Sequence, residues 1–126
     1  MRTCMRTDSV DEFERTLSRL TIADEAFIES LLPGRANLAA SALDPKSHAL
    51  VRLAAMIAAD AAPASYLCSV GSAQEAGATD EELVGCLVAV ISVVGPARVV
   101  AAAPKVGLAL GYDVAAALEE SGLPSG

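Results

Sequence analysis

Thr79-Asp80-Glu81-Glu82, directly ahead of the apolar run Leu83 to Val94, constrains this chain more than any other four residues. A threonine followed three positions later by a glutamate reads as a capping box. The Thr79 hydroxyl takes the backbone N–H of Glu82, and the Glu82 carboxylate takes that of Thr79. Two of the orphan donors at a helix start are thereby satisfied. A helix begins here, and the residues that follow are too apolar to face water.

The pattern extends upstream. Asp44 can cap the first turn of a helix in which Pro45 supplies a preset φ where no donor is needed. Leu50, Leu53, Ala54 and Ile57 then recur at the spacing of one buried helix face, while Lys46 and Arg52 stay wet. Pro63 disfavours helical geometry in the residue before it, so this helix ends at Asp60-Ala61-Ala62. A second helix restarts at Pro63, runs through Ser65-Tyr66-Leu67-Cys68-Ser69, and stops at Gly77, which most easily adopts the left-handed C′ conformation. The two segments, Pro45 to Asp60 and Pro63 to Ala76, make an antiparallel central pair.

On the N-terminal side, a helix from Asp8 or Ser9 places Val10, Phe13, Leu17 and Leu20 on one face, with acids early and Arg15 and Arg19 late, as the helix dipole prefers. Thr21 or Asp24 begins a short helix, Glu25 to Leu32, which Pro33-Gly34 ends. Arg35 to Ala42 reads as either a helical turn or a loop. On the C-terminal side, Gly95-Pro96 is a break and restart. Val99, Val100, Ala103, Val106, Leu108 and Leu110 continue helical apolarity, and Pro104 inside that pattern predicts a kink or two short helices. Val114 to Glu120, capped by Asp113, is a final turn or two. The expectation is one all-α domain over residues 1–126 with six or seven helices: a helical N-terminal extension, about 8–42, and a core, about 43–120.

Composition says how such a core is filled. Of the 126 residues, 53% are hydrophobic but only 3% aromatic, so close-packed layers of Ala, Val, Leu and Ile must do the work. A small domain this apolar has more greasy surface than one core hides, which predicts an obligate homo-oligomer joined through the helices around Leu83 to Leu110. The net charge of −7 argues against nucleic-acid and anionic-membrane partners. Leu83 to Ala103 is nearly all apolar, yet Gly95-Pro96 and Arg98 interrupt it and neither arm approaches the roughly 20 residues of a span. Residues 61–126 carry only two basic residues, Arg98 and Lys105, against seven acids. Cys4, Cys68 and Cys86 occur at no zinc or redox spacing, and Met1 to Arg6 lacks the apolar core of a secretory signal, so reduced thiols and a cytoplasmic location are expected. No metal cluster, phosphate loop or other cofactor motif stands in the sequence.

The order Leu43-Asp44-Pro45, an apolar helix, then a helix closing in Glu75-Ala76-Gly77-Ala78-Thr79-Asp80-Glu81-Glu82-Leu83 resembles the carboxymuconolactone decarboxylase and alkylhydroperoxidase D group. The resemblance covers the middle third of the chain and implies the alkylhydroperoxidase D-like helical fold, assembled as a trimer or hexamer. The catalytic signature departs from it. The peroxidase branch carries Cys-x-x-Cys-x-x-x-His on the second helix, and counting back from Gly77 puts those positions on Pro63, Tyr66 and Val70. The Glu and His of the decarboxylase branch would fall on Tyr66 and Val70. Neither activity has its residues.

Three functions stay open. In the first, a family member with a degenerate site binds a small apolar or carboxylated ligand in a pocket lined by Tyr66, Val70 and Met56, acting as a divergent lyase or isomerase if a partner subunit adds a base. Tyr66 would supply the polar contact, since a phenol has an apolar body and one hydrogen-bonding tip. Arg98, at a helix start, would hold a carboxylate with the free backbone N–H groups, or else pair with an acid of a neighbouring subunit. In the second, Cys68 acts as a single-cysteine hydroperoxide reductase, which requires an exposed thiol of lowered pKa. No neighbour in sequence lowers the Cys68 pKa; separately, His48, the only histidine, could serve as a base for a pocket acid or ketone, the plainer reading being an exposed imidazole beside Arg52. In the third, the protein is a structural or partner-binding oligomer. Cys86 is expected to be a small core hydrophobe, and Cys4 to sit in a mobile N-terminus.

Overall fold

The structure is a computed structural model that describes residues 4–122, and every described element is an α-helix. There are eight: α1 Cys4–Thr21, α2 Glu25–Ser30, α3 Gly34–Ser41, α4 Pro45–Ala59, α5 Pro63–Glu75, α6 Asp80–Val94, α7 Pro96–Ala109 and α8 Val114–Glu120. The all-helical expectation holds, but six or seven helices was too few. Residues 34–41 form a complete helix, because Pro33 supplies an extended N-cap and Ala42 closes the end in the left-handed region at φ 58°. Helix α1 starts at Cys4, about one turn before Asp8. The chain divides between Ala42 and Leu43 into two compact units.

The first unit is three helices joined by short turns, with α1 packed on α2. Ala23, at φ 55°, turns the chain after α1, and the Asp24 carboxylate accepts from Phe27 N–H at 3.2 Å to start α2. The Arg19 guanidinium lies 5.3 Å from the Phe27 ring centroid, within cation–π range. Asn37 Nδ2 donates to the Leu31 carbonyl at 2.7 Å, tying α3 to the turn before it. None of residues 11–42 is buried. The α1 stripe of Phe13, Leu17 and Leu20 is 63%, 55% and 45% exposed.

The second unit has the core. Helix α4 packs on α5, α6 and α7; α5 and α6 each pack on α7; and α8 rests on α7. The buried set is Leu53 and Ile57 from α4, Tyr66, Val70 and Ala73 from α5, Ala78, then Leu83, Cys86 and Leu87 from α6, and Val99, Ala102 and Val106 from α7. Only Tyr66 among these is aromatic, so the helices meet through small side chains. Caps appear where the sequence puts them. Asp44 accepts from Ser47 N–H at 3.3 Å. Thr79 and Glu82 form the complete capping box, at 3.0 and 3.2 Å. Gly77 takes φ 99° and lets Ala78 N–H reach back to the Ala73 carbonyl at 2.9 Å, closing α5.

Pro104 does not divide α7, which runs unbroken from Pro96 to Ala109. Val99, Ala102 and Val106 bracket the proline on one face and are all buried, so packing on both sides of it holds the helix in register against the cost of the missing N–H.

Candidate functional site around Tyr66

Asp60 sets the geometry. It closes α4 in the left-handed region at φ 54°, with Ala61 N–H donating to the Met56 carbonyl at 3.1 Å; a short polar side chain tolerates this conformation better than most. Capped this way, the chain turns sharply and restarts at Pro63, which places Tyr66 in the first turn of α5.

Helix α7 supplies the two cations of this half of the chain, seven residues and hence about two turns apart. Lys105 Nζ lies 3.3 Å from Asp60 Oδ1 and 3.0 Å from the Ala61 carbonyl, while Arg98 lies 3.3 Å from Asp60 Oδ2. Arg98, expected to meet a ligand carboxylate or a neighbouring subunit's acid, therefore has a partner in its own chain. Two cations against one carboxylate leave the α4–α5 turn with a net positive charge in a protein of net −7. As half-exposed pairs these bridges add little to stability.

Tyr66 is completely buried, and its hydroxyl has no hydrogen-bond partner among the described residues. Burial pushes its pKa up, and the negative charge of Asp60 pushes it further the same way. The phenol is thus held neutral, with a proton to donate and nothing to receive it. A buried hydroxyl in that state costs about 1–3 kcal/mol, which a bound acceptor would recover. Val70, one turn on, is equally buried, and Met56 is half-buried against the same core. Of the residues proposed from the sequence, Tyr66, Val70 and Met56 belong to one packed cluster.

The other candidates stand elsewhere. Cys68 is exposed on α5. His48 is half-buried in the first turn of α4, with its backbone N–H on the Asp44 carbonyl at 2.9 Å; exposure beside Arg52 does not describe it fully. Cys86 is a core residue as expected: it is buried, its Sγ lies 3.8 Å from the Leu50 carbonyl, and burial followed by the charge of Glu82 raises its pKa. A shallow groove of about 170 Å³ in the first unit, lined by Glu12, Arg15, Thr16, Arg19 and Phe27, contains none of the candidate residues. Its open form and solvated arginines make it a weaker place for ligand chemistry than the buried phenol.

Sequence reasoning missed Asp60 and Lys105 as site residues. The signal was present, since Arg98 and Lys105 are seven apart on one helix and Asp60 ends another, but only the packing of α4 on α7 makes that spacing matter. No family model, no curated protein and no solved structure matches the chain. No helix among the described residues is long and apolar enough to cross a membrane.

Proposed function

We propose that the protein is a redox-silent relative of the carboxymuconolactone decarboxylase and alkylhydroperoxidase D group that binds a small, largely apolar molecule carrying a hydrogen-bond acceptor, and that it works as a homo-oligomer. One observation carries this reading: the Tyr66 hydroxyl is buried without a partner. Tyr66 also occupies the position where the resembling family has its second thiol or its glutamate. A neutral phenol there can orient a carbonyl or carboxylate, and the net positive α4–α5 turn favours an anionic one. Binding of a ligand to Tyr66 requires the first turn of α5 to part from the core, a local opening of the kind that ligand sites use.

The test is binding of hexanoate and benzoate, with hexanol as the uncharged comparison, to the wild type and to Tyr66→Phe. The wild type should show a ligand-dependent rise in melting temperature that Tyr66→Phe lacks, while unliganded Tyr66→Phe is at least as stable as the wild type because an unsatisfied hydroxyl has gone. Absence of any shift with all three probes, or equal shifts in both proteins, would reject the reading.

The exposure of Cys68 favours one second reading, a single-cysteine hydroperoxide reductase. Peroxide turnover abolished by Cys68→Ser would establish it in place of the first.

A further inference from the structure

The start of α5 is held to the rest of its unit by very little. From Ala62 to Cys68, Tyr66 is buried and every other residue is exposed; Ser69 is half-buried, and the next buried side chain is Val70. No side chain caps the helix at Ala62. The local sequence adds little of its own, since Ser65, Tyr66 and Ser69 are weaker helix formers than alanine, and Gly71, just beyond them, is weaker still. A segment with one buried side chain, no cap and poor propensity lies at the low end of local stability.

Lys105 reaches from α7 to the peptide that enters this segment. Its Nζ lies 3.0 Å from the Ala61 carbonyl oxygen, which belongs to the peptide plane joining Ala61 to Ala62. Asp60 Oδ1, at 3.3 Å, holds the ammonium in place, and Arg98 holds the other oxygen of that carboxylate. At 24% exposure, against 44% for Asp60 and 49% for Arg98, Lys105 is the member of the cluster that water screens least. On the α4 side, Ala61 N–H is already bonded to the Met56 carbonyl. The chain is thus anchored at Ala61 and loose from Ala62 onward. We infer that residues 62–69 are a gate, latched at Ala61 by Lys105, whose local unwinding carries Tyr66 out of the core and presents its hydroxyl to a ligand. About two turns of helix separated from a core are not stable alone, so leaving the core and unwinding are one event. Exposure of the ring opposes opening, while hydration of a hydroxyl that has no partner inside favours it. The closed gate is the resting state, and the apparent affinity of the site is scaled down by the fraction of time it stands open. That use rests on Tyr66 being the ligand-binding group; the opening itself does not.

Amide hydrogen exchange of the unliganded full chain, followed residue by residue by NMR, tests the gate. In the wild type, the amides of residues 66–69 should exchange at least about tenfold faster than those of residues 86–89 of α6, which include the buried Cys86 and Leu87. Lys105→Met, which removes the latch, should speed exchange at residues 66–69 by about 3- to 10-fold and leave residues 86–89 within about twofold of the wild type. Ala62→Ser, which supplies the cap that α5 lacks, should slow exchange at residues 66–69 by about 3- to 10-fold. Exchange at residues 66–69 no faster than at residues 86–89 overturns the inference. So does Lys105→Met changing both regions by the same factor, or neither, and so does Ala62→Ser leaving residues 66–69 unchanged. None of these measurements involves a ligand, so failure of the gate and failure of the ligand site show in different experiments.

Discussion

Residues 4–42 and residues 43–122 have the same raw material and different outcomes. Both are helical, both have carboxylate caps, and α1 has as regular an apolar stripe as any helix of the second unit. Yet the first unit buries none of its residues 11–42, and the second encloses twelve. Amphipathic period makes a helix with a face; it does not provide something to set against that face. In the second unit, sharp turns at Asp60 and Gly77 fold helices of matched length back on each other, so that α4, α5, α6 and α7 supply one another's cover. In the first, α2 has six residues and α3 eight, too short to cover the 18-residue α1.

The largest expected effect comes from cutting the same side chain in each unit. Leu53→Ala empties a site with no solvent exposure and should cost about 2–5 kcal/mol in urea unfolding. Leu17→Ala, at 55% exposure, should stay within about 0.5 kcal/mol. A Leu17→Ala cost rivalling that of Leu53→Ala would break the comparison, since it would mean that the α1 stripe is covered in solution.

Caps give a smaller and sharper contrast. Thr79→Ala removes one half of the capping box on α6, a helix with buried residues along its length, and should lower stability by about 1 kcal/mol. Asp24→Ala removes the same kind of bond from α2, which has no buried residue, and should move the unfolding midpoint by less than a third as much. Equal losses would show that the two units unfold as one.

The same contrast explains what could be read from the sequence. The caps at Asp44 and Thr79, the C′ glycine at Gly77 and the start at Pro63 are local chemistry, decided within four residues, and each is where the sequence put it. The helix over 34–41 is not decidable from sequence because its stop, Ala42 at φ 58°, is a conformation that alanine does not announce. At Pro104 the alternative of two short helices fails for the opposite reason: the local cost is real, and burial of Val99, Ala102 and Val106 on either side keeps α7 one helix. Around Tyr66 the phenol could be singled out, but the Asp60–Lys105 contact spans 45 residues and exists only through packing. The resemblance to the decarboxylase and peroxidase group supplied the position of Tyr66 and no chemistry for it.

The smallest effect is electrostatic and belongs to the cap that separates the units most clearly. The Glu82 carboxyl lies below its ordinary value of 4.5, first because it accepts the Thr79 N–H and then because Lys46 Nζ stands 3.0 Å away. A carboxyl lowered on folding binds its proton more tightly in the unfolded chain, so its contribution is present above about pH 4.5 and is lost as pH falls through the lower folded value. Glu82→Gln keeps an acceptor for Thr79 but has no charge to titrate. The wild type should therefore be the more stable at neutral pH, and the gap between the two urea midpoints should close as the pH is lowered past 4.5. A gap that persists unchanged into acid would mean that Glu82 acts through hydrogen-bond geometry alone. The Lys46 pair would then add nothing to the start of α6, and the advantage of the second unit's caps over the cap at Asp24 would rest entirely on the core behind them.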